Sequence, residues 1–241
     1  MSLRQRIGRL MIQRLPISRR SFDILRFELE ALWQRTSNSF LPGYGRKLDD
    51  LRGHNELALN LGSGGGATPG WVNIDVRPTH DVDLALDIRR RLPFSDGQVA
   101  RVRAEYVVEH LDFRDELPAV LREIHRVLAV GGVLRVVVPD TRRFLEAYLT
   151  ADQERWQALG WDMTQLPADI FTPMHIVNHI FHQGGEHRFA YDFETLAYTL
   201  HAASFREIVR QSYGSSLDPA LTADLPVHRQ YSFYVEARKG L

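Results

Sequence analysis

The sequence predicts a doubly wound α/β fold built on a mostly parallel sheet. Short apolar runs at residues 57–61 and 133–138 are typical of strands that are buried on both faces. Segments with apolar residues at helical spacing alternate with such runs, and this alternation favours parallel connections. A glycine-rich loop directly follows the first run, which is the arrangement of a ligand site at the carboxyl edge of the sheet.

The composition predicts an ordinary globular protein with one sizeable core. Hydrophobic residues make up 44% and charged residues 25% of the 241 residues. Lys and Arg total 30, as do Asp and Glu, so the overall charge does not favour a nucleic-acid partner. The chain has no cysteine, which excludes disulfides and thiolate metal sites. No apolar run approaches the roughly 18 residues of a membrane span, and we expect a cytoplasmic location.

The N-terminal segment, residues 1–53, is expected to be a helical basic arm or cap. Its first 20 residues carry six Arg and no acidic residue. Helical spacing predicts one helix within residues 1–15 and a second over about 21–34. On one side of the second helix lie Leu25, Leu29, Leu32 and Trp33. The segment is either a cap on the core or an amphipathic arm that contacts a partner or the inner face of a membrane. Pro and Gly residues predict a linker over 37–53.

The glycine loop and the acid that ends the next apolar run, Asp75, indicate a nucleoside-binding site. Glycine lets the backbone approach a ligand, and a carboxylate can accept hydrogen bonds from a ribose diol. Gly62, Gly64 and Ala67 also satisfy a dinucleotide fingerprint, whose acid lies about 20 residues further on. Here Asp75 lies 13 residues past Gly62, and a proline interrupts any helix between them. The spacing favours a mononucleoside such as S-adenosylmethionine over a nicotinamide dinucleotide.

A series of short motifs follows along the chain in a characteristic order. They are residues 59–64, 70–75, Asp87, 92–96, 108–111, 126–134, 187–192 and 234–239. With these motifs the chain resembles the class I S-adenosylmethionine-dependent methyltransferases, most closely the branch found with surface-polysaccharide and lipopolysaccharide biosynthesis. The resemblance implies a methyltransferase domain over residues 54–241. Its sheet would be seven-stranded and Rossmann-like and would end in an antiparallel strand pair.

The resemblance also implies which residues bind S-adenosylmethionine. It places Asp87 beside the adenine, where a carboxylate can accept a hydrogen bond from the exocyclic amine. The expected cofactor-binding residues are Asn60, Gly62, Ser63, Gly64, Asp75, Val76, Asp87, Ile88 and Glu105.

The middle of the chain continues the alternation of helix and strand. Apolar spacing predicts a helix over about residues 115–129, followed by the buried strand at 133–138. Gly131 and Gly132 are expected to stop the helix as a C-cap.

The last part of the chain predicts one more helix and the closing strand pair. Asp192 can N-cap a helix over residues 193–203. Ser204 stands where relatives usually have Gly, so a left-handed turn there would be mildly strained. Residues 206–213 and 230–238 alternate in part and predict two antiparallel strands.

Residues 141–191 are the least regular part of the sequence, and a substrate lid is expected here. His175, His179 and His182 could share one helix face. No thiolate is near them and the resemblance implies no metal, so we expect no metal site. The catalytic candidates are His110, His182 and His187 as a general base and Tyr106 as a positioning group. Relatives often have His where Tyr106 stands.

The resemblance implies transfer of a methyl group to a sugar hydroxyl, in a glycan, a lipid-linked precursor or a nucleotide-sugar. Three other functions stay open. A nicotinamide-dependent dehydrogenase is disfavoured by the 13-residue spacing and by Pro69. Of the remaining two, one is an RNA methyltransferase, which the balanced charge disfavours. The other is a non-catalytic module that binds S-adenosylmethionine. The expected partners are a small-molecule or glycan acceptor and, through the basic N-terminus, the membrane surface.

Overall fold

Within the part of the chain that the structure describes, two helices precede the sheet. The structure is a computed structural model that describes residues 18–38, 40 and 42–240. The predicted helix within residues 1–15 lies outside these residues. Helix α1 spans Arg19–Ser37 and helix α2 spans Pro42–Arg52. The prediction of a linker over residues 37–53 is wrong, because α2 begins there with a proline at its first position, where the missing N–H costs no helical hydrogen bond.

The strands form one sheet. In chain order they are β1 (Leu57–Leu61), β2 (Val72–Asp75), β3 (Leu84–Ala85), β4 (Val99–Glu105), β5 (Leu128–Pro139), β6 (Phe205–Gln211) and β7 (Ser232–Lys239). Their order across the sheet is β3-β2-β1-β4-β5-β7-β6. The first five strands pair in parallel, and β7 pairs antiparallel with both β5 and β6. The predicted fold class, including the antiparallel C-terminal pair, is confirmed.

Helices alternate with these strands. They are α3 (Glu116–Val127), α4 (Thr141–Thr150), α5 (Gln153–Ala158), α6 (Pro173–His182) and α7 (Phe193–Ala202). Asp192 caps α7 as predicted, because its side chain accepts a hydrogen bond from the backbone N–H of Thr195 at 2.9 Å. Ser204, just after α7, has the expected left-handed backbone with a φ of +73°. None of the helices in the described ranges is long and apolar enough to cross a membrane.

The predicted glycine stop of α3 is wrong. The helix ends at Val127, and β5 begins at the next residue, Leu128. Gly131 and Gly132 lie inside β5, where the register with β4 is irregular. Gly131 has a φ of +79°, and a Cβ on Gly132 would lie 2.9 Å from the carbonyl oxygen of Ala100. The two glycines therefore let the strand bulge close to its neighbour instead of capping a helix.

Residues 141–191, which we call the lid after their predicted role, have an apolar cluster of their own beside the main core of the sheet. Phe144 of α4, Trp156 of α5, and Ile176 and Ile180 of α6 are buried together. This packing makes the lid a folded unit that can hold side chains over the carboxyl ends of the strands.

Helix α1 is attached to the domain largely through polar contacts. Arg35 Nη2 lies 2.5 Å from Oδ2 of Asp87, and Arg89 Nη1 lies 2.6 Å from Oε1 of Glu28. The predicted apolar side of α1 is exposed at Leu25, Leu29, Leu32 and Trp33. The helix is therefore held at the loop after β3 by ion pairs, and its apolar stripe does not enter the core.

Asp87→Asn is expected to lower the free energy of unfolding by about 2 kcal/mol, because Arg35 and Arg89 lose a shared buried carboxylate. Burial alone would raise the pKa of Asp87, but hydrogen bonds from Arg89 and Arg35 outweigh burial and lower this pKa. A group with a lowered folded-state pKa stabilises the protein above its unfolded pKa of about 3.9. That stabilisation is lost as the pH falls through the folded-state pKa.

Urea unfolding across a pH series checks this prediction. The difference between wild type and Asp87→Asn should be constant above about pH 5 and should shrink below about pH 4. Asp96→Asn is the matched control, because Asp96 pairs with Arg126 at the surface and the Asp96 side chain is 76% exposed. Equal effects of the two substitutions would contradict the prediction.

Candidate active site

The glycine loop turns sharply directly after β1. Gly62 and Gly64 have positive φ values of +66° and +52°. A Cβ at position 62 would lie 2.4 Å from Cγ2 of Val107, which follows β4. Only glycine fits between these two segments, so the loop backbone lies open at the carboxyl ends of β1 and β4.

Asp75 ends β2, and its carboxylate reaches the glycine loop. Oδ2 accepts a hydrogen bond from the backbone N–H of Gly64 at 3.0 Å, and Oδ1 accepts one from that of Arg77 at 2.8 Å. Both oxygens keep further lone pairs, so the carboxylate can also accept hydrogen bonds from a ribose diol. Val76 follows and is half-buried. This edge of neighbouring parallel strands is where open α/β sheets bind ligands.

Two more predicted cofactor residues, Asn60 and Ser63, lie at the same loop in different roles. Asn60 is buried, and its Nδ2 donates to the carbonyl oxygen of Gly66 at 3.2 Å and to Oδ1 of Asn73 at 3.0 Å. The Asn60 amide thus stabilises the conformation of the loop. The buried hydroxyl oxygen of Ser63 hydrogen-bonds no described residue, so it stays available at the turn.

Asp87 lies in the loop after β3, but its carboxylate oxygens are already bonded. Oδ1 accepts hydrogen bonds from the backbone N–H of Arg89 at 3.0 Å and from its Nε at 2.9 Å. Oδ2 accepts from Arg35 Nη2 at 2.5 Å. An adenine amine would compete with these guanidinium groups, so the geometry does not favour the expected contact. Ile88, partly buried against the core, offers an apolar surface beside it.

The carboxyl end of β4 carries a polar cluster that joins the start of β7. Glu105 is buried, and its Oε1 lies 2.7 Å from Nδ1 of His228. Tyr106 stacks on the His228 ring at a centroid distance of 3.8 Å, and its hydroxyl lies 2.7 Å from Oγ of Ser232.

Tyr106 has a φ of +57°, a costly conformation that its packed surroundings enforce. Burial raises the pKa of Tyr106, which keeps the phenol neutral. Sequence reasoning did not identify His228 or Ser232.

A pocket of about 260 Å³ opens between these strand ends and the lid. Aromatic, amide and imidazole side chains line it, among them Tyr106, Trp161, Gln183, His187, Gln230 and Tyr231. The described lining contains no Lys, Arg, Asp or Glu. A larger depression of about 510 Å³ lies around residues 91–96, at the amino end of β4 and away from the glycine loop. The smaller pocket is the one beside the nucleoside site.

The turn after β4 brings Glu109 and His110 next to His187 of the lid; we call these three residues the Glu–His–His cluster. One ligand-capable atom of each lies within 4.8 Å of the others. Nδ1 of His110 is 3.1 Å from the carbonyl oxygen of Glu186, and Nδ1 of His187 is 2.7 Å from that of Ile180. Burial lowers the pKa of both histidines and raises the pKa of Glu109 to about 8. Sequence reasoning proposed the two histidines separately and did not single out Glu109.

A family model described as a methyltransferase domain matches residues 76–136, from the end of β2 into β5. The matched segment holds Asp87, Glu105 and Tyr106, and the sheet around it has the strand arrangement that the motifs imply. This protein is an S-adenosylmethionine-dependent methyltransferase. The residues present fit S-adenosylmethionine as cofactor. The missing side chain of Gly62 leaves the turn free where a Cβ would fill it, and the Asp75 carboxylate faces that turn.

Several solved structures resemble the methyltransferase at low sequence identity. A SAM-dependent methyltransferase from Methanosarcina mazei is 16% identical with a TM-score of 0.47, covering 78% of this chain and 94% of that one. Another from Archaeoglobus fulgidus is 13% identical with a TM-score of 0.46, covering 86% and 94%. Phosphoethanolamine N-methyltransferase 2 from Haemonchus contortus, in complex with S-adenosyl-L-methionine, is 10% identical with a TM-score of 0.46, covering 82% and 53%. No curated protein matches the chain. None of these similarities identifies the acceptor.

The predicted catalytic histidines of the methyltransferase divide into two groups. His110 and His187 meet in the Glu–His–His cluster. His182 is exposed at the end of α6 and does not line the pocket. His175 and His179 lie on the same helix, and within the described residues neither joins a group with metal-ligand spacing. The structure therefore offers His110 and His187, but not His182, for chemistry beside the pocket.

Asp75→Ala in the methyltransferase is expected to weaken S-adenosylmethionine binding by about 100-fold, because two hydrogen bonds to a charged acceptor contribute about 3 kcal/mol. Calorimetric titration measures this affinity directly. Asp49→Ala is the control, because Asp49 is an exposed acid that pairs with Arg52 on α2. Unchanged affinity in Asp75→Ala would remove Asp75 from the cofactor site.

Proposed function

We propose that the methyltransferase methylates a hydroxyl of a sugar, carried by a glycan, a lipid-linked precursor or a nucleotide-sugar. The observation that carries this proposal is the character of the pocket beside Tyr106. Trp161 and Tyr231 supply aromatic faces that suit the C–H faces of a sugar ring. The amides of Gln183 and Gln230 can both donate to and accept from ring hydroxyls. The setting in surface-polysaccharide biosynthesis rests on the motif resemblance.

The same pocket argues against an RNA acceptor. RNA binding depends strongly on Lys and Arg side chains that neutralise phosphates. The described pocket lining has neither residue, and the whole chain carries equal numbers of basic and acidic side chains. A neutral sugar ring matches this lining better than a phosphate backbone.

The residues around the pocket have distinct roles in the proposed reaction. S-adenosylmethionine supplies a methyl group bound to a sulfonium sulfur. A C–O bond forms as the C–S bond breaks, and the electron pair of the C–S bond goes to sulfur. The acceptor oxygen loses its proton. Tyr106 gives a rigid wall that orients the acceptor, since its backbone and hydroxyl are both fixed. Trp161 and the rest of the lid cover the pocket and limit the access of water to it. We assign activation of the hydroxyl to the Glu–His–His cluster beside the pocket, and the released proton passes to water.

A methyl-transfer assay with a panel of acceptors tests the proposal. The purified enzyme is incubated with S-adenosylmethionine and nucleotide-sugars, oligosaccharides, lipid-linked sugars or RNA, and methylated products are found by mass spectrometry. We expect a methylated sugar hydroxyl. Trp161→Ala should raise the KM for that acceptor about tenfold, whereas Phe171→Ala, an exposed lid aromatic outside the pocket, should not. Methylation of RNA alone would overturn the proposal.

A further inference from the structure

We propose that the Glu–His–His cluster binds a divalent first-row transition-metal ion, a site that the sequence analysis does not predict. Glu109 is 1% exposed, and neither of its carboxylate oxygens hydrogen-bonds a described residue. His187 is 5% exposed, and its Nε2 likewise has no described partner. Buried polar atoms are normally hydrogen-bonded, so three unpartnered ones at a single point indicate a ligand. Only the catalytic role of the ion rests on the proposed function.

The two imidazoles are held in the tautomer that a metal requires. Nδ1 of each ring faces a backbone carbonyl oxygen, at 3.1 Å for His110 and 2.7 Å for His187. A carbonyl oxygen can only accept, so Nδ1 carries the proton and Nε2 keeps its lone pair. Histidines that bind metals commonly donate their other N–H to a backbone carbonyl in this way. The ring centroids are 5.0 Å apart, which places both imidazoles beside the same carboxylate.

The charge of the cluster also favours a cation. No described Lys or Arg pairs with Glu109. An ionised carboxylate that is buried without a partner is costly, and a bound cation would offset that cost. The neutral imidazoles add ligands without adding positive charge, so the three residues together present one negative charge to the ion.

The ligand set and its spacing indicate the class of metal. Two ligands on opposite sides of an ion, at about 2.1 Å each, are about 4.2 Å apart. The cluster, whose ligand atoms lie within 4.8 Å of one another, needs only a small closing movement of its side chains. Two imidazoles and one carboxylate suit ions such as Zn²⁺, Mn²⁺ or Co²⁺, whereas Mg²⁺ prefers oxygen ligands. Three protein ligands leave a coordination position open.

The open position has a use in the reaction, because His187 also lines the acceptor pocket. An acceptor hydroxyl bound there would have a lowered pKa and would release its proton to water. The resulting oxygen then forms the bond to the methyl carbon, and the electron pair of the broken C–S bond stays on sulfur. The cluster thus activates the hydroxyl through the ion.

Metal binding by the 241-residue chain tests the inference without measuring activity. The protein is stripped with a chelator and titrated with Mn²⁺, Zn²⁺ or Co²⁺ by calorimetry, with Mg²⁺ for comparison, and bound Co²⁺ is also followed by its visible absorption. We expect one transition-metal ion per chain. Glu109→Gln and His187→Gln should each weaken binding by roughly 100-fold. His182→Gln, a nearby exposed histidine outside the cluster, should bind like wild type.

The outcomes separate this inference from the proposed function. Absence of binding, equal binding by Glu109→Gln, or loss of binding in His182→Gln would overturn the metal site. Sugar methylation that persists in the chelated enzyme would overturn the catalytic role of the ion and leave the proposed function intact. A metal that binds through Glu109 and His187 in an enzyme that methylates no sugar would support the site and refute the proposed acceptor.

Discussion

Arg135→Met is expected to unfold most of the protein at room temperature. Arg135 on β5 is fully buried, with Nη2 2.6 Å from Oδ2 of Asp224 and Nη1 2.7 Å from Oε1 of Glu236, its direct neighbour on β7. Both carboxylates are fully buried as well. Breaking one buried pair costs about 3–5 kcal/mol, and this substitution breaks two. The total stability of a domain is only about 5–15 kcal/mol.

Urea unfolding followed by circular dichroism measures this loss. Arg142→Met serves as control, because Arg142 makes its ion pairs at the surface with a side chain 59% exposed, and we expect no measurable change there. Combining Arg135→Met with Asp224→Asn and Glu236→Gln should recover part of the stability, since the unpaired charges are then gone. A midpoint for Arg135→Met close to that of Arg142→Met would show that the buried triad is dispensable.

Gly62→Ala is expected to weaken S-adenosylmethionine binding by about 30-fold or more, which corresponds to about 2 kcal/mol. The backbone at position 62 has a φ of +66°, which strains any residue with a Cβ. The new Cβ would also lie 2.4 Å from Cγ2 of Val107, a β-branched and buried side chain with little freedom to turn away. The loop must move, and with it the backbone that approaches the cofactor.

Gly65→Ala is the matched control for this substitution. Gly65 belongs to the same loop, but its φ is not positive and a Cβ there would meet nothing within 4 Å. Calorimetric titration with S-adenosylmethionine compares the two variants, and a thermal melt of each establishes that it is folded. If both bind the cofactor with the affinity of wild type, the close approach at Gly62 does not shape the cofactor site.

Local patterns predicted most of the sheet and the glycine loop. The β-branched run in β5 and the glycines after β1 act through the residues next to them, so their structure follows from short stretches of sequence. The same local reasoning failed for α2, where Pro42 starts a helix instead of interrupting one, and at Gly131, which bulges a strand. A proline can begin a helix or interrupt one, and a glycine can cap a helix or bulge a strand. The residue type alone does not decide between these roles.

The parts of the site that could not be predicted depend on contacts between distant segments. Arg35 bonds Asp87 across 52 positions, and His228 bonds Glu105 across 123. His187 likewise reaches the turn after β4 only because the lid folds back over it. Spacing along the chain carries no information about such pairs, whereas an acid shortly after a strand, such as Glu109 in the turn that follows β4, is a signal of a functional site that the sequence does contain.

The ion pairs that attach α1 make this helix sensitive to ionic strength. The Arg35 and Glu28 side chains are 26% and 42% exposed, so dissolved salt can screen part of their attraction to the loop after β3. The apolar sheet core lacks this sensitivity. Concentrated salt should therefore detach α1 before the domain itself unfolds. Asp87 would then lose Arg35, one of its two guanidinium partners. The buffer chosen for a binding assay will thus set how firmly this edge of the cofactor site is held.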